Sequence, residues 1–221
     1  MTYYLVFLIL PVGLGMLAQH WVRRAFDAGS RIQAASGLSG AQVSRLMLDA
    51  GGLQGVSVES VGGSLTDHYD PRAKVMRLSV PVGGSSSVSA VAVAAHETGH
   101  AFQDGRREFG FRARSALVPA TGFASNAWFL VFLVGVFTRS TNLIMVGAVL
   151  FAALVAFQLL TLPVEIGASR KALAMLTDRG VISGDQVPVA RRVLTAAAST
   201  YLVATLLAVM QLVYLLGFAR R

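Results

Sequence analysis

Cysteine is absent from the 221 residues of this sequence. Its absence excludes a disulfide framework, a cysteine-based metal site and a cysteine nucleophile. It does not identify the compartment, because many proteins on either side of a membrane lack disulfides.

Charged residues are also scarce, at 14% of the chain, whereas soluble domains contain about one quarter. Hydrophobic residues make up 54%, and the mean hydropathy is +0.61. This balance predicts a membrane protein, whose first partner is the lipid bilayer.

The net charge of +8 raises the possibility of a nucleic-acid partner. The sequence has no RNA-binding signature and no basic surface interleaved with aromatic residues. Lysine and arginine beside membrane spans account for the charge, because they set orientation and meet anionic head groups. We therefore predict no nucleic-acid partner.

Long runs without a charged side chain are predicted to be transmembrane helices, since about 20 apolar residues cross the hydrocarbon core. The first run could instead be a signal peptide, but it lacks a basic start and a good cleavage site, which favours a retained anchor. The four predicted spans are 1–19, 117–137, 142–163 and 199–218.

Lysine and arginine are distributed unevenly around these spans. Residues 20–115 contain 11 of the 19, and residues 165–192 contain 5 more. With four spans, these two segments share one face, which the positive-inside rule predicts to be cytoplasmic. We expect a multi-pass protein of the cell (inner or plasma) membrane, with residues 20–115 as its polar domain.

The polar domain shows alternating helical and strand patterns, separated by turn-rich segments such as "GGSLTDHYDPRA". Ser39 and the last serine of "PVGGSSS" (81–87) are predicted helix N-caps. The order is helix 40–50, strand 56–61, strand 74–80 and helix 88–104. The fold class predicted is a mainly α membrane protein with four transmembrane helices and a small α+β domain.

The helix 88–104 contains "AAHETGHAFQ". His96 and His100 are four residues apart and therefore share one helix face, so both can bind one metal ion. Glu97 follows the first histidine and can act as general base on a metal-bound water. The alternative is a helix that carries these residues by chance, but buried histidines without partners are costly.

A hydrolytic zinc site normally has three protein ligands and one open position. The metzincin extension is excluded, because Gln103 and Arg106 stand where it requires glycine and histidine. Asp104 would have to reach the ion from a third successive helical turn. His68, Glu108 and Glu165 remain as candidates.

Glu165 is the best of these candidates, because an ionisable residue at the end of a span indicates a functional site. The charge distribution also puts it on the same face as the motif helix. Pro163 can bend the chain there, and the small residues at 167–169 allow close helix packing. The alternative is an interfacial glutamate paired with Arg170 or Lys171.

The segments "LTDHYDPRAKVMRLSV", "VAAHETGHAFQD" and "FQLLTLPVEIGASRKAL" resemble the neutral zinc metallopeptidases of bacterial membranes. More distantly, the chain is similar to gluzincin membrane proteases such as the prenyl-protein (CAAX) proteases and the heat-shock membrane protease. The resemblance implies a zincin-like catalytic domain at 20–115, a third-ligand helix and connection at 164–192, and one Zn²⁺ per chain. It also implies that Glu165 is the third ligand, from an E-x-x-A-[DS] run. The chain departs from the closer family at Gly167, where that family has an acidic residue.

His68 and Tyr69 lie in "TDHYDP" and are further catalytic candidates. Either side chain could donate to the oxyanion or orient a ligand. In zinc peptidases an edge strand beside the motif helix pairs with an extended substrate, and Lys74–Val80 is the predicted strand here. The alternative for 66–71 is a tight, Asp-rich surface turn.

Together these observations predict an integral-membrane zinc metalloprotease that cleaves membrane or membrane-proximal proteins. The alternative is a non-enzymatic membrane protein with a structural or regulatory zinc site, although such a site needs no base at Glu97. A metal transporter is disfavoured, because no predicted span contains Asp, Glu, Lys, Arg or His.

Overall fold

The structure is a computed structural model that describes residue 7 and residues 9–219, and it is mainly helical with one small sheet. In chain order the described elements are α1 (Leu10–Ser30), α2 (Gly40–Ala50), β1 (Ser57–Val61), β2 (His68–Asp70), β3 (Val75–Ser79), α3 (Val80–Gly83), α4 (Val88–Gly105), α5 (Phe109–Phe137), α6 (Thr141–Asp178) and α7 (Val187–Ala219). A mainly α fold with a short β-sheet is thus confirmed.

Three of the described helices, α5, α6 and α7, are long and apolar enough to cross a membrane. They contain the predicted spans 117–137, 142–163 and 199–218. The predicted span 1–19 begins outside the described residues, and its described part from Leu10 is the start of α1. The fourth span therefore stays a prediction.

The three helices extend past the apolar runs from which they were predicted. Hydropathy marks the part of a helix that suits lipid, whereas backbone hydrogen bonding continues into the polar residues beyond it. Pro163 lies inside α6, which runs without a break from Thr141 to Asp178. We predicted instead a span that ends at residue 163, followed by a third-ligand helix and connection at 164–192. Neighbouring helices allow a proline within a membrane helix.

The sheet has the strand order β1-β3-β2, with β1 parallel and β2 antiparallel to β3. The predicted strands 56–61 and 74–80 appear as β1 and β3, while β2 occupies a segment predicted as a turn. Because β3 is paired on both sides, the expectation that Lys74–Val80 forms the substrate-binding edge is wrong. The free edge nearest to the motif helix belongs to β2.

The helix α4 begins where the sequence predicts. The side chain of Ser87 accepts a hydrogen bond from the backbone N–H of Ala90, which satisfies one of the free donors of the first turn. One side of α4 packs on α2, α6 and α7 through residues such as Val91 and Ala95. Its other side packs on the sheet at Met76. The motif helix is thus the centre of the polar domain.

The backbones of α4 and α6 come into direct contact at Gly99. A Cβ atom at this position would lie 2.8 Å from the carbonyl oxygen of Ala168, too close for any other residue without movement. Both residues are buried. Since Glu165 precedes Ala168 by about one helical turn, this close approach brings it beside the two histidines of α4.

Candidate metal centre

His96, His100 and Glu165 form a compact group of potential metal ligands. One nitrogen or oxygen from each lies within 4.8 Å of the others. Nε2 of His96 is 3.2 Å, and Nε2 of His100 is 3.5 Å, from Oε2 of Glu165. Glu165 is only 2% exposed and His100 only 6%. The structure thus brings together the three residues that the sequence predicted as ligands.

The other ring nitrogen of each histidine is engaged by a neighbouring side chain. Nδ1 of His100 donates to Oε1 of Gln103 at 2.8 Å, and the amide of Gln103 donates to the carbonyl oxygen of Val164 at 2.8 Å. Nδ1 of His96 lies 3.1 Å from Oγ of Ser169. Partners of this kind fix the ring orientation in metal sites and leave Nε2 of both rings for the ion.

The carboxylate of Glu165 gives a test of whether this group suits a metal ion. Its Oε1 lies 2.9 Å from Nη1 of Arg114, in an ion pair with that guanidinium. Among the described residues this buried oxygen has no hydrogen-bond partner. The other oxygen, Oε2, lies within 3.5 Å of Nε2 of both histidines. Two imidazole nitrogens and a carboxylate oxygen that converge in this way are a donor set that zinc favours, so the group fits a bound cation.

Glu97 lies beside the ligand group but does not belong to it. Its Oε2 accepts a hydrogen bond from the backbone N–H of Tyr69 in β2 at 3.1 Å. The pKa of Glu97 is raised to about 7, chiefly because burial disfavours the charged form. The nearby His96 opposes this rise, while Glu165 and Asp67 add to it. A carboxylate with such a pKa can take up and release a proton near neutral pH.

His68 and Tyr69 line the same cleft, but neither belongs to the ligand group. His68 is exposed, and its Nδ1 lies 2.8 Å from the carbonyl oxygen of Thr66. The hydroxyl of Tyr69 donates to Asp104 at 2.7 Å. Burial, and then the hydrogen bond to Asp104, raise the pKa of Tyr69 above its usual range. Their catalytic roles stay predictions.

The remaining candidate for third ligand has a partner elsewhere. Glu108 lies 3.1 Å from Nζ of Lys171, in an ion pair at the surface. Asp104, the awkward candidate on the motif helix, contacts Tyr69 and Lys74. Neither carboxylate belongs to the metal-ligand group found among the described residues.

The candidate centre lies at the bottom of an open cleft of about 380 Å³, and a second cavity of about 230 Å³ reaches it from the other side. The first is walled by β2 and α5, the second by α1 and α7. The residues that line both cavities are Asp67, His96, Glu97, Glu165 and Tyr201. The two cavities therefore adjoin at the candidate centre.

Several polar residues of this site were missed by the sequence reasoning. Gln103 entered it only as the residue that excludes the metzincin extension, although its position three residues after His100 puts it on the same face of α4. Ser169 lies within the run that carries Glu165. No sequence pattern marks Arg114 and Tyr201 as residues of this site, because they reach the cleft from α5 and α7 only in the folded chain.

Replacing Gln103 with leucine is expected to lower zinc affinity about 10- to 100-fold, because the ring of His100 loses the partner that orients it. Zinc affinity would be measured by competition with a chelating dye. Gln54→Leu is the control, since Gln54 is exposed and bonds only its own turn. Equal affinities in the two variants, with equal melting temperatures of the metal-free proteins, would contradict this role.

Three helices long and apolar enough to cross a membrane, and a largely buried His–His–Glu group, point to a membrane protein with a candidate zinc centre. Residues 4–220 match the family described as "Putative neutral zinc metallopeptidase", and the chain belongs to this family. The chain is also 43% identical over 204 residues to "Putative membrane protease YugP" of Bacillus subtilis (strain 168). That match covers 92% of this chain and 91% of the relative. No solved structure matches the chain. The family resemblance inferred from the motifs is thus confirmed.

Proposed function

We propose that this chain is an integral-membrane zinc metalloprotease that holds one Zn²⁺ per chain. The observation that carries the proposal is the group formed by His96, His100 and Glu165, with the carboxylate of Glu97 beside it. Three protein ligands and an open cleft are typical of a catalytic rather than a structural zinc site. Family membership and the name of the relative support the same reaction class.

Two imidazoles and one carboxylate suit zinc, although other first-row ions also bind such sets. When bound, the ion supplies a water of lowered pKa and a Lewis acid for the scissile carbonyl. His96, His100 and Glu165 would hold it. Gln103 and Ser169 keep the two imidazoles in the orientation that presents Nε2.

Glu97 is the general base of the proposed reaction. It takes a proton from the attacking water and passes it to the leaving amine. The hydrogen bond from the N–H of Tyr69 holds one carboxylate oxygen in place and leaves the other free for this transfer.

Arg114 and Tyr201 are two further donors that line both the cleft and the surroundings of Glu165. A guanidinium and a phenol hydroxyl can both donate to the carbonyl oxygen that becomes negative during peptide hydrolysis. His68, at the rim of the cleft, is a third donor of this kind. We assign oxyanion stabilisation to this set of donors.

The substrate is proposed to bind in an extended form along β2. The outer edge of β2 faces the cleft, because the N–H of Tyr69 points to Glu97 and not to β3. Since that N–H is occupied by Glu97, a paired substrate would use the other outward backbone groups of β2. Pairing through the backbone accepts many sequences. Glu165 follows directly on the charge-free run of α6, which favours membrane or membrane-proximal proteins as substrates. The charge distribution favours the cytoplasmic face of the cell membrane.

Metal removal tests this function. The purified chain, reconstituted in vesicles, is expected to cleave a co-reconstituted membrane protein, to lose that activity with a chelator, and to regain it when zinc is added. Soluble casein is the comparison substrate. Cleavage of casein alone would contradict the proposed substrate class. Bound zinc without hydrolysis of either would favour the non-enzymatic alternative.

A further inference from the structure

Within β2, Tyr69 is the residue whose backbone faces the cleft. It lies opposite Met76 of β3, but its N–H donates to Glu97 and not to β3. Residues of an antiparallel pair alternate between two hydrogen bonds to the partner strand and none. The carbonyl oxygen of Tyr69 therefore also points to the open edge. The position of this one residue decides where a substrate paired with β2 would lie.

The side chain of Tyr69 is attached to α4 at a second point. Its hydroxyl donates to Oδ2 of Asp104 at 2.7 Å. Asp104 follows Glu97 by seven residues, nearly two helical turns, so both lie on the same side of α4, about 10 Å apart along its axis. The ring of Tyr69 packs on Phe111, which in turn packs on the ring of His100. Tyr69 is thus held on α4 at its backbone and at the tip of its side chain.

The same carboxylate also holds the start of β3. Nζ of Lys74 forms an ion pair with Oδ2 of Asp104. Lys74 has a φ of 55°, in the left-handed region that residues with a side chain rarely adopt. Asp70 stabilises the turn before it by accepting hydrogen bonds from two backbone N–H groups. One oxygen of Asp104 therefore contacts both strands of the hairpin formed by residues 68–79, which we call the edge hairpin.

Asp104 has no place of its own in the proposed reaction. It does not line the cleft, and it does not belong to the ligand group found among the described residues. It also lies in the last turn of α4, where a negative charge opposes the helix dipole. Its side chain is only 15% exposed, and shielded carboxylates of this kind are retained with hydrogen-bond partners. Both of the partners named above belong to the edge hairpin.

We propose that Asp104 is a positioning residue, which fixes the edge hairpin on α4 so that the backbone of Tyr69 meets the substrate beside Glu97. This inference rests on the proposed function. The hydroxyl of Tyr69 then serves as an anchor, and Tyr69 acts on the substrate through its backbone.

Steady-state kinetics of the zinc-loaded full chain, reconstituted with its membrane-protein substrate, test this role. Asp104→Ala and Tyr69→Phe are each expected to lower kcat/KM by up to about 100-fold, since small displacements of positioning groups have effects of this size. Most of the change should be in KM, because the edge binds the substrate before the reaction. The double variant should lose no more than either single variant, since both break the same contact. Asp104→Asn should restore most of the activity, because its amide oxygen can still accept from Tyr69.

The matched control is Asp49→Ala, which removes an exposed carboxylate that pairs with Arg45 on α2. It should change neither KM nor kcat. A lower kcat at unchanged KM in Asp104→Ala would overturn the proposal, because a smaller active fraction or a direct part in the reaction has that effect. Additive losses in the double variant would overturn it as well.

Hydrogen–deuterium exchange of the same zinc-loaded proteins gives a readout that does not depend on hydrolysis. In Asp104→Ala the amides of the edge hairpin are expected to exchange about tenfold faster, as the loss of one hydrogen bond implies, with those of α4 unchanged. Equal exchange in this variant and the wild type, or equal acceleration in Asp49→Ala, would overturn the proposal. If the wild type hydrolyses no substrate, the proposed function fails, and the exchange rates alone then decide whether Asp104 fixes the hairpin.

Discussion

Replacing Glu97 with glutamine is expected to abolish peptide hydrolysis and to leave the zinc content of the protein unchanged. Glutamine has nearly the same shape, and its amide oxygen can still accept the hydrogen bond from the N–H of Tyr69. It cannot take a proton from the attacking water, however, and loss of a general base costs about 10²- to 10⁴-fold in rate. Turnover and zinc per chain would be measured on the same preparation.

Glu59→Gln is the matched control, because Glu59 is an exposed carboxylate on β1 whose charged neighbour is Arg77, 3.5 Å away. This variant should retain full activity and full zinc content. Full activity in Glu97→Gln would show that the proposed mechanism is wrong. Loss of zinc from Glu97→Gln would indicate instead that Glu97 is a ligand.

Replacing Glu165 with alanine is expected to lower bound zinc to well below one ion per chain, and hydrolysis with it. Only His96 and His100 then remain, and two neutral imidazoles provide no negative charge to the ion. The loss of zinc affinity should be larger than the loss of about 10- to 100-fold that follows when a residue that only hydrogen-bonds a ligand is removed. Metal analysis after dialysis against a weak chelator measures the difference.

This substitution also leaves Arg114 without its counter-ion, and a partly buried unpaired charge can unfold a protein. The double variant Arg114→Ala/Glu165→Ala removes that charge, and it should fold yet fail to bind zinc. Glu108→Ala is the control, because Glu108 pairs with Lys171 at the surface. Unchanged zinc in the Glu165 variants would point to His68 or Glu108 as the third ligand.

The motif helix was the most predictable part of the molecule. Its serine N-cap and its small apolar residues are local signals, and the structure has a helix at Val88–Gly105 as expected. The spacing of His96 and His100 follows directly from helical periodicity. Two thirds of the candidate ligand set could therefore be selected from one segment of ten residues.

Glu165 needed more than local periodicity. Among its rivals, His68 is exposed and Glu108 is ion-paired, but neither property is visible in the sequence. The choice rested on an ionisable residue at the end of an apolar run, on the charge distribution and on the family resemblance. The structure adds the contact between Gly99 and Ala168, which explains why Glu165 reaches the histidines.

The strand β2 shows where sequence reasoning failed. It has only three residues, and the proline and aspartates around it are typical of a turn. Pairing with β3 makes it a strand, and its edge position then directs the N–H of Tyr69 to Glu97. The free edge beside the candidate centre was accordingly predicted for the wrong strand.

Properties that depend on neighbours along the chain were determined by the sequence alone: the apolar runs, the helical face shared by His96 and His100, and the membership of a zinc peptidase family. Tertiary structure alone decided the surroundings of that site. Gln103, Ser169 and Arg114 became its neighbours because α4, α5 and α6 pack together, with Gly99 of α4 against Ala168 of α6. Periodicity acts within one helix, whereas contacts between helices depend on the packing of the whole chain.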